Sequence, residues 1–590
     1  MTARCTRSAP LVLALLGACL TVAALASTAR AQEAVAPPDP VRDVPLDDLS
    51  PGLTGYVLTE GPDGLERFEV ELLGVQESDA LGRPLLLLRG SGAFLDASGG
   101  VAAGMSGSPV YLGADGRERL AGALAYAFPR SDHRLALATP IEAMRALGGP
   151  GTEDAGGTLP PGAAPVATPV LLHGLDARAA AHLGSAFDAA GLHPVPVQGG
   201  SASADRAAAD EDPAPGDAVA ALLAWGDVRV AAVGTVTARD GDAVLAFGHP
   251  LLRRAEAGYA LAAANVLAIV PDSEVPYKLT NVAAAPYGAA FADGAAGIAG
   301  RVDGAPAGLP VTIRVEGPDR VRTLAVRLTP DPALAPALLA ALVQRAVDET
   351  LDAVGGGSAD LAWTFEFRDE PELRMLDQRV DRFDLATETA RLAAAPLAVL
   401  GDNPFRDPEL ARVALHLDVA PERRHAELVE AALETPEVDP GGTAIAFVRI
   451  QPFRAEPEVR TVRVPIPDDA PPGPLRLTFR GASVPDPEVE ERTPPPPDPL
   501  RQPTSGLPPV LSWGELIAAL SERPQARDLL VEMPGEARPR RLQRVDAGAP
   551  LLGLERLTVT VRDPDADRSD DAEPAGTADD GAEGAAGSGP

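Results

Sequence analysis

Cysteine is nearly missing from this 590-residue chain: Cys5 and Cys19 are the only two, and both lie within the first thirty residues. The remainder therefore has no disulfide framework, no cysteine nucleophile and no thiolate metal site. Aromatic residues make up only 4%, so strands rich in Val, Leu and Ala must supply the core. Positive charge is scarce as well. Lys and Arg number 51 against 84 Asp and Glu, a formal net charge of −33. Such a chain is a poor partner for nucleic acid or an anionic membrane surface. Beyond the first thirty residues no apolar run reaches about 18 residues, so no transmembrane segment is expected there. There is no H-E-x-x-H, no Walker loop and no G-x-G-x-x-G opening a helix after a strand. The Asp-rich loops do not match EF-hand spacing. No cofactor and no metal site are expected.

What is present begins with an address. Arg4 and Arg7 precede an apolar stretch from Leu11 to about Ala26, and Ala29-Arg30-Ala31 follows. This pattern reads as a secretory signal over 1–31, with export to the periplasm or cell envelope. The alternative is a lipoprotein signal ending at Leu16-Gly17-Ala18-Cys19. The apolar run continues through Thr21-Val22-Ala23-Ala24-Leu25, where a lipoprotein normally turns polar, so the unlipidated form is preferred.

Glycine (58) and proline (61) are abundant, and they punctuate short strands, which makes the expected fold mainly β. A flexible arm at 32–48 leads to a first β-barrel half at 49–147. A linker with a short helical insert follows at 148–218, then a second barrel half at 219–330. Thr139, Pro140 and Glu142 read as a capping box opening a helix. Ala333 to Val354 carries the longest helical pattern, within a helix and Gly linker at 331–357. Residues 358–484 alternate as separate strands with Pro and Asp turns and suggest a β-sandwich-like domain. A Pro-rich spacer at 485–510, a small α/β segment at 511–562 opened by Ser512 and Glu515, and a disordered acidic tail at 563–590 complete the chain.

The run Gly104-Met105-Ser106-Gly107-Ser108-Pro109 carries the most specific chemistry. Acyl transfer needs a hydroxyl on a tight bend beside backbone N–H groups that can hold an oxyanion. Glycines on both sides of a serine permit that bend because they tolerate positive φ. The Gly104 and Ser106 N–H groups are the expected oxyanion hole. A nucleophilic serine also needs a base within hydrogen-bond reach. Of seven histidines, His249 follows the apolar strand Ala243 to Phe247 at a Gly-His-Pro corner, where a barrel presents side chains to a cleft. His133, in a polar loop, is the runner-up. A plain Gly/Ser turn and a turn histidine are the alternative readings of the two segments.

Gly-Met-Ser-Gly-Ser-Pro-Val, with the hairpin returning through Leu120-Ala121-Gly122-Ala123-Leu124, resembles the signature of the SpoIVB peptidase family. It is also similar to the Gly-x-Ser-Gly-Gly-Pro of trypsin-like enzymes. Val244 to Pro250 resembles the family's strand ending in Gly-His. The likeness spans about a third of the chain, near 50–145 and 220–310. It implies a trypsin-like double β-barrel, Ser106 as nucleophile, His249 as base, and Ser108 shaping only the turn. In the sporulation members the histidine precedes the serine; here the order is reversed, which a permuted arrangement accommodates because such a site is defined by geometry. The orienting acid stays open among Asp96, Asp132, Asp240 and Asp242, and a Ser/His dyad is an alternative. No PDZ segment is found. The implied activity is limited proteolysis of a protein or peptide substrate in the cell envelope. The rivals are a catalytically inactive scaffold or binding protein on the same barrel and sandwich, and a purely structural surface protein.

Overall fold

The computed structural model describes residues 43–78, 83–113, 117–128, 131–148, 159, 161–197, 213–253, 257–272, 275–485, 510–535 and 539–563. The expected signal peptide, most of the arm, much of both linkers, the Pro-rich spacer and the acidic tail lie outside the described residues. The chain is mainly β, with 50% strand and 15% helix, which leaves helices a supporting role.

Strands β1 (Thr54–Gly61), β2 (Gly64–Ser78), β3 (Arg83–Ser91), β4 (Pro109–Gly113), β5 (Arg119–Ala127) and β6 (Leu135–Pro140) run in the order β4-β1-β2-β3-β6-β5. A further β4–β5 pairing closes them into a six-stranded barrel. Alternation places Val57, Phe68, Val70, Leu72, Leu86, Leu88, Val110 and Leu112 in its interior, the period-2 consequence of strand geometry. The expected arm ends docked on this barrel: Val44 is buried and its N–H donates to Leu120 O at 2.9 Å.

A second ring uses β7 (Ala218–Gly226), β8 (Arg229–Asp240), β9 (Ala243–Ala246), β10 (Ala260–Val270), β12 (Gly288–Gly294) and β13 (Gly297–Val302), while β11 (Tyr277–Val282) pairs with β10 on the side. Its path β7-β10-β12-β13-β9-β8 closes through β7–β8. Its interior draws on every strand of the ring, among them Val219, Ala221, Val230, Ala232, Val244, Ala246, Leu261, Ala290 and Ile298, small aliphatic side chains that match the low aromatic content. β7 is apolar without alternation because both its faces are covered: Val219, Ala221 and Leu223 lie in the core shared by all six ring strands, and Ala218, Ala220 and Leu222 in a second cluster on the outer face with Leu171, Ala231, Val233 and Val282.

The same sheet continues outward through β15 (Val321–Leu328) and β14 (Leu309–Glu316) to β18 (Leu410–Ala420), β16 (Gly357–Phe367) and β17 (Leu373–Asp381). Helices α1 (Leu334–Leu351) and α2 (Leu385–Gly401) pack together over this extension in one core. The strands at 357–420 therefore belong to the barrel sheet, and the sandwich expected to start at 358 starts later. It consists of β19 (Ala426–Leu433), β20 (Thr443–Pro452) and β21 (Glu458–Pro465) against β22 (Gly473–Gly481), β23 (Asp528–Met533), β24 (Arg540–Asp546) and β25 (Leu554–Val561). Leu428, Val448, Val464, Leu477, Phe479, Val531 and Val559 fill the space between the two sheets. The segment expected as a separate α/β unit thus supplies four strands of the sandwich, the two-residue Leu551–Leu552 included. Helix α3 (Trp513–Ser521) turns Leu516 and Leu520 into the barrel-side core instead. No described helix is long and apolar enough to cross a membrane.

Candidate functional site

The loop that carries Ser106 connects the short helix Ala93–Ala97 to β4 and lies along the seam between the barrels. Its bend needs glycine twice: Gly104 has φ 91° and Gly107 φ 93°, a region that side chains other than glycine rarely enter. Gly107 also lies so close to the second barrel that a Cβ there would meet Thr235 O at 2.1 Å and Phe247 N at 2.4 Å. The loop is stitched to that barrel by named bonds. Thr235 N–H donates to Ser106 O at 2.8 Å and Lys278 N–H to Ala103 O at 2.9 Å. The hydroxyls of Thr235 and Thr237 donate to Gly104 O at 3.0 Å and Gly107 O at 2.6 Å.

Ser106 is fully buried, and its Oγ has no hydrogen-bond partner among the described residues. Its N–H likewise donates to none of the described groups. The other expected oxyanion donor is occupied, since Gly104 N–H donates to Ala167 O at 3.3 Å. Ser108, two residues on, is bonded: its hydroxyl donates to Thr59 Oγ1 at 2.9 Å.

His249 sits on the opposite wall. Phe247 (φ 69°) and Gly248 (φ 66°) are both left-handed, and this double turn swings His249 out of β9 toward β5, where Tyr126 has its ring centroid 6.2 Å away. Thr139 fixes the corner by donating its hydroxyl to Gly248 O at 2.6 Å. That contact removes Thr139 from the expected capping box. The helix Ile141–Arg145 starts without a side-chain cap, and Glu142 accepts Leu46 N–H at 3.2 Å. His249 Nδ1 is 2.8 Å from Pro250 O, and Nε2 is buried without a hydrogen-bond partner among the described residues. Burial pushes the imidazole down to about 4, against the opposing pull of the Pro250 and Val166 backbone groups. The ring is therefore neutral at physiological pH. Ser106 Oγ and His249 do not hydrogen-bond to each other.

The proposed orienting acids are engaged elsewhere or lie at the surface. Asp96 pairs with Arg134 at 2.7 Å, and Asp132 accepts Arg134 N–H at 3.1 Å. Asp240 pairs with Arg145, and Asp242 is exposed in the β8–β9 turn. His133 lies in the loop before β6, its carbonyl accepting Val101 N–H at 2.9 Å.

Sequence reasoning missed two groups that the fold brings here. Asp293, fully buried on β12, accepts the N–H groups of Leu251 at 2.8 Å and Leu252 at 2.7 Å and the Tyr259 hydroxyl at 2.8 Å. It anchors the backbone immediately after His249-Pro250. Lys278, on β11, is fully buried and pairs with no carboxylate among the described residues. Its Nζ donates to Thr59 Oγ1 at 2.8 Å and Thr235 Oγ1 at 3.4 Å, and its aliphatic stem lies against Gly104. Burial pushes the amine down to about 7, with Glu60 opposing. A lone lysine in the strand pattern Tyr277–Val282 reads as solvated, so no local signal marks it. A buried hydroxyl, a free amide, a neutral imidazole and a readily deprotonated amine thus line one seam, a set suited to acyl transfer. Comparison with protein-family models, curated proteins and solved structures returns no match for this chain.

Proposed function

We propose that this chain is an exported serine endopeptidase-like protein, with Ser106 as nucleophile and His249 as base, acting by limited cleavage of a protein in the cell envelope. One observation carries the reading. Ser106 has both its N–H and its Oγ buried and without a partner among the described residues, between two β-barrels. Buried polar groups left unmade are costly and call for an explanation. An acyl-enzyme reaction uses both, the hydroxyl as nucleophile and the amide as oxyanion donor. The resemblance of Gly104 to Pro109 and Val244 to Pro250 to SpoIVB peptidases supports the same assignment.

The full burial of Ser106 and His249 favours a second reading, a catalytically silent scaffold. A fluorophosphonate probe with intact-mass detection separates them. The enzyme reading expects one adduct, mapped to Ser106, lost in Ser106→Ala and retained in Ser108→Ala. Absence of any Ser106 adduct after prolonged exposure, on protein shown to be folded, supports the scaffold.

A further inference from the structure

The segment Ala164 to Thr168 runs across the mouth of the site. Ala164–Pro165 adds to the edge of β5 as a two-residue antiparallel strand, with Tyr126 opposite Pro165 and Ala127 opposite Ala164. Val166 N–H then donates to Ala125 O at 2.9 Å, and Ala167 O accepts Gly104 N–H at 3.3 Å. The Val166 side chain is buried in the first barrel's core, while Leu159 and Ala163 pack against Leu85, Ala125, Tyr126 and Leu137. From Thr168 the chain enters the second barrel's sheet, where Val170 pairs with Ala232 on β8. One extended segment therefore bridges both barrels and places a backbone carbonyl on an expected oxyanion donor.

We infer that this segment is a built-in occupant of the peptide groove: residues 164–168 hold, in cis, the place of an extended substrate with small apolar side chains. The inference rests on the serine-peptidase reading for the word substrate. Addition of a strand to an exposed sheet edge is a general mode of peptide recognition, with backbone hydrogen bonds giving affinity and alternate side chains giving selectivity. Here the side chains are Ala164, Pro165, Val166, Ala167 and Thr168, and Val166 and Thr168 fill the two deep positions. The attachment to β5 is short, and Pro165 has no N–H to contribute. Such edge segments open at lower free energy than the barrel strands beneath them. Release of the segment would free Gly104 N–H and uncover Ser106, which accounts for a nucleophile and an oxyanion donor that are both buried.

The test uses the full chain with Val166→Asp, which puts a charge where the segment is anchored, and the milder Val166→Ser. Two readouts are taken on wild type and variants, with circular dichroism as the folding control. One is fluorescence anisotropy with a fluorescein-labelled peptide Ala-Pro-Val-Ala-Thr. The other is the rate of fluorophosphonate labelling at Ser106. The inference expects the peptide to bind the variants at least tenfold more tightly than wild type, and labelling to rise at least tenfold. Tighter peptide binding without labelling keeps the groove and overturns the peptidase reading. Unchanged peptide binding and equal labelling in folded variants overturn the inference and leave the peptidase reading standing. If Val166→Asp does not fold, Val166→Ser decides, with a smaller change in the same direction.

Discussion

Gly107 has no room for a side chain, and the reason lies in another barrel. Its α-carbon faces Thr235 O and the Phe247 backbone, so Gly107→Ala forces the seam apart as well as straining a positive φ. The expected loss is roughly 3 kcal/mol or more, read as a lower urea midpoint. Gly64→Ala, also at positive φ but with nothing within 4 Å, should cost only the backbone strain. Lys278 makes a second test at this scale. Its folded pKa of about 7 lies below its ordinary value of 10.5. Between those values the unfolded chain binds more protons, so stability rises with pH through that window; below about pH 7 the full penalty of a buried cation remains. Lys278→Met should therefore stabilise the protein at pH 7 by on the order of a few kcal/mol and remove the rise toward pH 10.5. Urea titrations of both proteins at pH 7 and 10 measure it, and an identical pH slope would sink the assignment. His249 acts in the same sense at lower pH, its contribution to stability rising from about pH 4 to its ordinary 6.5.

Among the elements, the two capping boxes expected from sequence had different outcomes. Ser512 accepts Glu515 N–H at 3.2 Å and Glu515 reaches back to Leu511 N–H at 2.8 Å, so α3 starts as its local sequence dictates. Ser512→Ala should lower stability by about 1 kcal/mol, visible as a small drop in melting temperature without loss of β signal. Thr139 carries the same local signature, but the Gly248 carbonyl across the seam captures its hydroxyl. Local pattern holds where the element end faces solvent and yields where a tertiary acceptor is in reach. Helix α2 was hidden for another reason. Its Ala-rich stretch is interrupted by Pro396 and flanked by strand patterns, so no clear period stands out. Burial against α1, with Asp384 accepting Thr387 N–H at 3.1 Å at its start, carries it.

At the scale of the whole molecule, the cores mark where the chain divides. The sandwich has its own apolar interior, distinct from the one beneath α1 and α2. An isolated 424–563 fragment should fold as β structure by circular dichroism and unfold cooperatively in urea. A fragment starting at 360 should aggregate, because it cuts into β16 and strips β18 from β14, its neighbour in the barrel sheet. A cooperative, monomeric 360–560 fragment would show that the boundary lies elsewhere.

What the amino-acid sequence determined by itself was local: strands from alternation, bends from glycines beside Ser106, the helix start at Ser512 and Glu515, and the mainly β barrel class. These depend on backbone sterics and side-chain period, which act between near neighbours. The ring closures, the capture of β16 to β18 by the barrel sheet and the sharing of the sandwich between distant segments were decided by which edges found a partner. The site divides the same way. Ser106 and His249 stand out in motifs, but Lys278 and Asp293 acquire meaning only through burial, because a charge becomes chemically distinctive when the fold removes its water.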